Sequence, residues 1–545
     1  MTGQSRPSAD VFDYVIVGSG AAGSLLAARL GEDSAVRICV LEAGPTDWHP
    51  WLHVPAGYIK KLFDPGYTFP YASEPTEHTR GRAIPVPQGR TLGGSTAING
   101  LVYNRGHAED FDHWAALGNP GWAYAEVLPL FKRTERWLGP DPDGLRGRSG
   151  AMTVTPIDWI HPICEAFIEG AGELGIPRNA DYNGAVQAGV GYFQRTIHRG
   201  WRVSAAGSFL HPARKRGNVT VRTHAHATRL VFEAGRAVGV CYAQGGNASD
   251  LREVRASREV ILATGALNTP RLLQLSGIGP GALLQRFGIP VVRDLPGVGR
   301  HLKDHFSVRV VARTRDVTTM NELSRGPQLL GQIARWMLKR PSILALSPSL
   351  VHWFWKSREG LDRPDLQGVF TPASYREGYV GMLDVYPGMT CGVWQHRPEG
   401  SGFVELQSTD PFEAPRIQPR YLEHEGDRRV LLDGVRIARH LLRTQALARY
   451  VEAETMPGVA VDRDDEVLDF VRRIGVSSYH LNGTARMGPA SDPMAVVDAQ
   501  LRVHGIAGLR VVDASVMPEI PSANTAASTM MIAEKAADMI RGACD

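Results

Sequence analysis

The segment VFDYVIVGSGAAGSLLAARL, which begins at Val11, constrains the fold of this chain more than any other. An apolar run from Val15 to Val17 leads into three glycines in G-x-G-x-x-G order, and a helix-forming stretch from Ala21 to Leu30 follows. A second apolar run, Val36 to Leu41, then ends on Glu42. A strand, a glycine turn, a helix and a second strand ending on an acid are typical of a dinucleotide-binding βαβ unit. The sequence therefore predicts a Rossmann-like domain.

The residue types in this unit explain how it would hold a dinucleotide. Gly18 permits the tight turn, Gly20 lets the backbone approach a pyrophosphate, and Gly23 lets the helix pack close to the strand. Free N–H groups at the start of the helix would bind the phosphates, and the carboxylate of Glu42 would accept hydrogen bonds from ribose hydroxyls. The predicted contacts of this unit are Gly18, Ser19, Gly20, Ala21, Ala22, Gly23, Glu42 and Ala43.

Bulk properties narrow the class of protein. A chain of 545 residues is too long for one compact core and suggests two or three domains. The net charge of +4 is small for this length, and Lys and Arg are spread along the chain, so the sequence gives no indication of a nucleic-acid partner. Five isolated cysteines without a C-x-x-C pair argue against a disulfide framework and against a zinc site.

The same features indicate a cytoplasmic protein. The polar leader MTGQSRPSAD lacks the apolar core of a signal peptide, and no apolar run reaches the length of a membrane span. The stretch from Leu329 to Trp355 is apolar enough for weak contact with a membrane surface. We expect it instead to line the core or a pocket, because its charges do not segregate to one face.

The predicted fold class is α/β, with the dinucleotide domain assembled from distant segments. Further apolar strands, Glu259 to Thr264 and Leu509 to Val512, precede helices predicted at Pro270 to Leu275 and Thr525 to Arg541. The intervening segments hold most tryptophans and alternating strands, which indicates an inserted α+β domain. We predict a first domain from residues 1–155, 212–305 and 460–545, and a second, substrate-binding domain from 156–211 and 306–459.

Four motifs together indicate a family. The glycine fingerprint is followed in order by GRTLGGSTAING, by GALNTPRLLQLSGIG, and by the pair YHLNGTARMG and DASVMPEIPSANTAAS. In this combination the chain resembles, over its full length, the glucose–methanol–choline family of flavin-dependent oxidoreductases. Its alcohol-oxidising bacterial branch, with choline dehydrogenases, other alcohol dehydrogenases and hydroxymethylfurfural oxidase, is the most similar.

This resemblance implies a cofactor, an activity and two catalytic residues. The cofactor would be FAD, and a primary alcohol would be oxidised to the aldehyde with hydride transfer to flavin N5. His480 falls on the family's catalytic histidine, and Asn524 falls on its partner, which is His or Asn in different members. An imidazole is suited to remove the hydroxyl proton near neutral pH, and an amide N–H can hold the developing alkoxide.

The resemblance also implies flavin contacts outside the fingerprint. The glycine-rich stretch would lie along the isoalloxazine, an alanine would pair with adenine, and residues at the start of the last helix would face the flavin pyrimidine, where the positive end of the helix stabilises the reduced anion. These predicted contacts are Leu92, Gly94, Asn99, Gly100, Leu101, Val102, Ala227, Tyr479, Asp513, Ala514, Thr525 and Ala526.

The chain departs from the family pattern in three places, at five positions. Relatives that bind FAD covalently have a histidine where this chain has Ile98, so we expect non-covalent FAD. Ala526 and Ser528 replace Asn and Pro of many relatives, and Leu481 and Asn482 replace Pro and a small residue. Helix entry and the geometry on the substrate side are therefore expected to differ.

Substrate, electron acceptor and oligomeric state stay open at this level. Aromatic residues of the inserted domain and of an early loop suit an aromatic or medium-chain alcohol, although core packing is expected for most of them (Tyr58, Phe63, Tyr67, Trp336, Trp353, Phe354, Trp355, Phe370 and Trp394). Choline is less favoured, because the sequence identifies no cage for its ammonium group. The acceptor would be a quinone-type compound or oxygen. Alternatives are a non-redox lyase or a photodecarboxylase on the same scaffold, and a non-catalytic flavoprotein.

Overall fold

The computed structural model describes residues 10–377 and 381–542; most of the polar leader and Cys544 lie outside these ranges. Its first sheet contains the predicted βαβ unit, with strands in the spatial order Val219–Arg222, Ile38–Leu41, Asp10–Val17, Leu251–Leu262, Arg236–Gln244 and Ala225–Glu233. The first four strands are parallel, and Leu509–Val511 adds a fifth parallel strand beside the end of Leu251–Leu262. The prediction of a parallel sheet built from distant segments is confirmed.

The second sheet is antiparallel and comes from the inserted segments. Its strands lie in the order Val451–Met456, Phe306–Thr314, Gly388–Gln395, Leu366–Thr371, Val351–Trp355 and Gly189–Tyr192, and Val476–Ser477 also pairs with Phe306–Thr314. Shorter strands complete the chain: Thr68–Phe69, Gln88–Gly89, Glu135–Trp137, Met152–Val154, Ile197–His198, Trp201–Arg202, Ile278–Gly279, Arg293–Asp294, Arg300–Leu302, Gly402–Glu405 and Arg416–Gln418.

Helices cover both sheets. Two of them, at the start and the end of the chain, pack against each other beside the first sheet, and the longest packs on the strand Gly388–Gln395 of the second. The α-helices are Ala21–Leu30, Tyr58–Lys61, Ala108–Ala116, Tyr124–Thr134, Pro162–Glu173, His211–Arg214, Gly265–Leu275, Gly281–Arg286, Met320–Leu323, Gly326–Met337, Glu425–Leu442, Gln445–Ala448, Asp464–Ile474 and Ala526–Gly542.

Two stretches pack across the predicted domain boundaries. Val467, Phe470 and Val471, on the helix Asp464–Ile474, belong to the core of the second sheet, although residues 460–545 were assigned to the dinucleotide domain. The residues Phe209 and Leu210, assigned to the substrate domain, belong to the core of the first sheet. In both places the apolar face of a helical turn determines which sheet it packs against.

One predicted helix begins earlier than expected. A helix was predicted from Pro270, whereas the structure has Gly265–Leu275 with Pro270 inside it. Proline cannot donate to the carbonyl four residues earlier. That carbonyl, of Ala266, instead accepts a hydrogen bond from the Thr484 hydroxyl at 2.6 Å. A residue more than 200 positions away thus compensates for the proline.

The apolar stretch Leu329 to Trp355 divides into two parts. The strand Val351–Trp355 lies in the core of the second sheet, as expected. The expectation is wrong for the helix Gly326–Met337, because every one of its residues stays at least partly exposed. Among the described residues, no helix combines the length and apolarity needed to cross a membrane.

Candidate active site

A cavity of about 390 Å³ lies between the two sheets and receives residues from both. The structure brings twenty of the predicted site residues to its wall: Gly18, Ser19, Gly20, Ala21, Ala22, Glu42, Ala43, Gly94, Asn99, Gly100, Leu101, Val102, Ala227, Tyr479, His480, Asp513, Ala514, Asn524, Thr525 and Ala526. Residues from both ends of the chain thus meet around one space.

Gly23 and Leu92 are the two predicted contacts that do not reach this wall. A Cβ atom on Gly23 would lie 1.9 Å from the Gly18 carbonyl oxygen, so this glycine serves the close packing of helix on strand. Leu92 is fully buried in the core of the first sheet. Its side chain packs into the core, and its expected position along the flavin ring stays a prediction.

The end of the cavity at the glycine turn is shaped for a close ligand. Gly18 has φ of +98°, and a Cβ there would lie 2.4 Å from the Ala263 carbonyl oxygen. A Cβ on Gly94 would lie 2.7 Å from the Gly20 Cα, so two stretches of bare backbone face each other across the cavity wall. Only glycine allows this approach.

Glu42 lies beside this turn, at the end of its strand. Its carboxylate accepts hydrogen bonds from the Ser19 amide at 3.1 Å, the Ser19 hydroxyl at 2.6 Å and the Gly44 amide at 2.9 Å. Burial raises the pKa of Glu42 above its ordinary value, against the effect of these donors. A bare glycine cradle, a helix N-terminus and a buried acid that lines the cavity fit the pyrophosphate and ribose of a dinucleotide.

Asp304 positions the loop that carries His480. The His480 amide donates to Asp304 Oδ1 at 2.8 Å, and Asp304 Oδ2 accepts from the Tyr421 and Ser477 hydroxyls, both at 2.5 Å. Burial raises the pKa of Asp304 to about 6. Asn482, one of the departures from the family pattern, donates from Nδ2 to the His480 carbonyl at 2.8 Å. The loop backbone is thus held on both sides of the histidine.

The side chains of His480 and Asn524 meet directly. Asn524 Nδ2 lies 2.9 Å from His480 Nε2, and on the other side of the ring His480 Nδ1 lies 2.9 Å from His305 Nδ1. His305 Nε2 lies 2.8 Å from the His396 carbonyl oxygen. A carbonyl only accepts, so His305 Nε2 must carry the proton.

The chain of donors and acceptors then closes on itself. Gln367 Nε2 donates to Asn524 Oδ1 at 3.3 Å, and His396 Nε2 lies 3.0 Å from Gln367 Oε1. Each group has one consistent role: His396 donates to Gln367, Gln367 to Asn524, Asn524 to His480, His480 to His305, and His305 to the His396 carbonyl. We call these five residues the hydrogen-bond ring. It leaves the lone pair of His480 on Nε2, at the wall of the cavity.

This assignment requires that the three imidazoles be neutral, and their burial favours the neutral form. Burial lowers the pKa of His305 to about 4 and holds the pKa of His480 and of His396 well below the ordinary value. For His480 the neighbouring His305 adds to this lowering. His480 is therefore a neutral imidazole at neutral pH, with its proton on Nδ1 and Nε2 free to accept.

The start of the last helix lies in the same wall. Asp513 accepts from the Gly265 amide at 2.9 Å, the Thr269 hydroxyl at 2.6 Å and the Ser515 amide at 2.8 Å, which ties the first sheet to this segment. Asn524 and Thr525 immediately precede the helix Ala526–Gly542. Its positive end is therefore directed at the cavity, as predicted from the sequence.

Sequence reasoning missed Asp304, His305, Gln367 and His396. Gln367 and His396 come from neighbouring strands whose register pairs Leu366 with Gln395, and a single sequence carries no signal for that pairing. Most of the aromatic residues named here behave as expected: Tyr58 and Trp394 line the cavity, and Trp353, Phe354 and Phe370 are buried in the cores. Phe63 is 44% exposed, and Trp336 lies on the exposed helix Gly326–Met337, so these two do not.

Comparison with known proteins agrees with this architecture. The family model GMC oxidoreductase matches residues 12–307 with its N-terminal part and 398–533 with its C-terminal part. The chain therefore belongs to the GMC oxidoreductase family. GMC oxidoreductases bind FAD, so the predicted cofactor and enzyme class are confirmed.

Individual relatives are similar over nearly their full length. The oxygen-dependent choline dehydrogenase of Brucella anthropi is 40% identical over 533 residues, which is 97% of this chain and 95% of that protein. The alcohol dehydrogenase [acceptor] of Pseudomonas putida is 38% identical over 97% of this chain and 96% of its own. The crystal structure of pyridoxine 4-oxidase from Mesorbium loti superimposes with a TM-score of 0.87 at 30% identity, covering 97% of this chain and 98% of the other.

Proposed function

We propose that this protein oxidises a primary alcohol to the aldehyde, with His480 as the base and Asn524 as the group that holds the alkoxide. The observation that carries the proposal is the 2.9 Å contact between His480 Nε2 and Asn524 Nδ2 at the wall of the cavity. The glycine turn, Glu42 and the start of the last helix would hold FAD, which when bound accepts the hydride at N5.

The two side chains have complementary tasks. A hydroxyl that takes the place of their mutual hydrogen bond donates its proton to His480 Nε2 and accepts from Asn524 Nδ2. As the proton moves to His480, the oxygen gains negative charge that the Asn524 amide stabilises. The electron pair of the carbon–hydrogen bond leaves as hydride, and the carbonyl forms. His480 Nδ1 keeps its own proton and donates it in a hydrogen bond to His305 Nδ1.

The lining favours an aromatic or medium-chain alcohol. Tyr58, Phe193, Tyr375, Trp394 and Tyr479 contribute aromatic surface. Among the described residues, the carboxylates at the wall are Glu42 and Asp513, both engaged at the dinucleotide end. A quaternary ammonium such as choline would therefore meet no carboxylate of the described residues on the cavity wall beside His480, since Asp304 lies behind the wall. Choline, alcohol and pyridoxine, named for the relatives, all carry a hydroxyl.

The electron acceptor is proposed to be a quinone-type compound or oxygen. The names of the two relatives diverge on this point, one being oxygen-dependent and the other specified only by an acceptor. We also propose a cytoplasmic location. It is supported by four described cysteines that are all buried free thiols (Cys39, Cys164, Cys241 and Cys391).

One experiment tests the activity. The yellow holoenzyme is mixed anaerobically with a panel of primary alcohols, and flavin absorbance is followed. Bleaching by a primary alcohol supports the proposal, and admission of air then distinguishes an oxidase from a dehydrogenase. A flavin that no alcohol bleaches would contradict it and favour a lyase, a photodecarboxylase or a non-catalytic role.

A further inference from the structure

Arg309 is a cation in the substrate half of the cavity. It lies on the strand Phe306–Thr314, three residues after the strand begins, and lines the cavity with Ser307. Its guanidinium carbon stands 5.2 Å from the centre of the Tyr375 ring. Within residues 10–377 and 381–542 it forms no ion pair and no hydrogen bond through its side chain.

No carboxylate of the described residues forms an ion pair with the Arg309 guanidinium, since the two at the cavity wall, Glu42 and Asp513, lie at the dinucleotide end. Arg271, the other arginine at the wall, donates to the Tyr71 hydroxyl and to the Glu413 carbonyl. Near Arg309, the Tyr479 hydroxyl is buried and, in the described part of the chain, without a hydrogen-bond partner. An unpaired guanidinium and an unsatisfied hydroxyl beside an apolar cavity are costly unless a ligand satisfies them.

We propose that the alcohol substrate carries a carboxylate at the end remote from its hydroxyl, and that Arg309 binds this carboxylate. Ser307 and Arg309 are alternate residues of the strand Phe306–Thr314, so their side chains share a face, and both line the cavity. His305, which contacts His480, immediately precedes this strand, and Arg309 lies about 10 Å along the strand from its first residue. A hydroxymethyl arene carboxylate carries both groups and suits the aromatic lining of the cavity. The inference rests on the proposed function.

A matched series of alcohols on one ring tests it. Benzyl alcohol, 4-(hydroxymethyl)benzoate and 4-(aminomethyl)benzyl alcohol are neutral, anionic and cationic forms of the same hydroxymethyl arene. We expect kcat/KM to be at least about tenfold higher for the anion than for the neutral alcohol, and lowest for the cation. Arg309→Met should lower the anion-to-neutral ratio by about tenfold or more, and Arg309→Lys should keep part of it.

The control removes the same charge from the same strand. Arg313 lies four residues further on and is exposed, so Arg313→Met should leave the ratio unchanged. A wild-type enzyme that prefers the cation, or an unchanged ratio in Arg309→Met, would overturn the inference. Titration with 4-methylbenzoate, followed by flavin absorbance, measures anion binding without turnover. It separates failure of this inference, in which the anion does not bind, from failure of the proposed function, in which it binds but no alcohol is oxidised.

A different observation concerns the outside of the molecule. On the exposed helix Gly326–Met337 and its C-cap, Leu330, Met337 and Leu338 are 68%, 71% and 67% exposed. With Ala334 they recur at positions i, i+4, i+7 and i+8, so they form one outward apolar arc. Three basic residues lie within or just after the helix: Arg335, Lys339 and Arg340. Residues 323–358 contain no Asp or Glu.

We further propose that this arc docks on a bilayer surface that contains anionic lipids. An exposed apolar arc with basic residues beside it is the pattern of interfacial helices. Trp201, 47% exposed, stands edge-on to Trp336 of the helix at 4.7 Å, and tryptophan prefers the membrane interface. Charge complementarity selects anionic lipid over a second copy of this chain, whose equivalent face is equally basic.

Vesicle sedimentation tests the docking independently of any activity. The holoenzyme should sediment with vesicles of phosphatidylcholine and phosphatidylglycerol, less with phosphatidylcholine alone, and less at high salt. The triple variant L330S/M337S/L338S and the pair R335E/K339E should each weaken binding about tenfold or more. Leu251→Ser and Lys215→Glu, at exposed positions elsewhere, serve as controls. Absence of vesicle binding, equal binding by the helix variants, or a dimer that the triple variant dissociates would overturn the proposal.

Discussion

His305 and His480 face each other through their Nδ1 atoms, 2.9 Å apart, so a single proton lies between the two nitrogens. The His396 carbonyl fixes that proton on His480, because it requires the proton of His305 on Nε2. His305 therefore holds His480, the proposed base, in the tautomer that presents Nε2 to the cavity. The contact explains why two neutral imidazoles occupy one buried site.

Substitution of His305 should reveal this role. His305→Leu removes the acceptor for His480 Nδ1, and we expect kcat to fall by about 10–100-fold while FAD content stays normal. His305→Asn, which keeps an acceptor oxygen, should recover most of the loss. The measurement is kcat against pH for both variants. If Asn and Leu lower kcat equally, the tautomer argument is wrong.

Removal of the base itself should be more severe. His480→Ala should lower turnover by about 10²–10⁴-fold while the protein remains yellow, because the glycine turn and Glu42 do not depend on this side chain. His440, an exposed histidine on the helix Glu425–Leu442, provides the control His440→Ala. Stopped-flow reduction of the flavin measures the chemical step directly. Near-normal reduction in His480→Ala would exclude it as the base.

The flavin should leave the unfolded protein. Ile98, at the position of the histidyl link in some relatives, is buried and lines the cavity, and its hydrocarbon side chain cannot bond to a flavin. After acid precipitation we expect all yellow colour in the supernatant. Acid precipitation of the variant Ile98→His tests whether a histidine at this position is sufficient to form a covalent link to FAD. Colour retained in the wild-type precipitate would contradict non-covalent binding.

The sequence predicted the dinucleotide end of the site far better than the substrate end. The turn from Gly18 to Gly23 and the helix Ala21–Leu30 are local, because a strand, a glycine turn and a helix specify one another over twenty residues. His480 and Asn524 were found only through motif resemblance. The contacts that set their protons come from His305, Gln367 and His396, which strand register brings together across the second sheet.

The sequence did not predict the start of a helix where a distant residue compensates for a helix-breaking proline. The helix Gly265–Leu275 tolerates Pro270 because the Thr484 hydroxyl satisfies the free Ala266 carbonyl. The helix Gly326–Met337 is apolar yet exposed, and its sequence alone is compatible with a core helix as well as with an interfacial one. Local patterns determine the type of an element, whereas its surroundings in the fold determine its limits and its exposure.

Acid should destabilise the protein as soon as the pH falls below about 6.5, the pKa of histidine in an unfolded chain. Burial lowers the pKa of His305 to about 4 and of His352 to about 3, and holds those of His480 and His396 well below the ordinary value. Below 6.5 the unfolded chain therefore binds protons that the folded one does not, and each such proton costs up to about 1.4 kcal/mol per pH unit. Asp304 and Glu42 act in the opposite direction, because burial raises the pKa of both carboxyls, that of Asp304 to about 6, so the folded state takes up protons there first.

These four histidines outnumber the two carboxyls, so the melting temperature of the holoenzyme should fall steadily between pH 6.5 and 5 and stay nearly constant between pH 7 and 8. His352 lies outside the hydrogen-bond ring, packed against Tyr182 and Phe193. Its replacement by Gln removes one titrating group, so the fall below pH 6.5 should become shallower by about one proton whatever the variant's melting temperature at neutral pH. Scanning calorimetry in buffers of equal ionic strength measures the change of melting temperature with pH for the wild type and for His352→Gln. A melting temperature that is unchanged from pH 7.5 to 5 would mean that these imidazoles take up protons in the folded protein as readily as in the unfolded chain, which would contradict the neutral imidazoles that the ring requires.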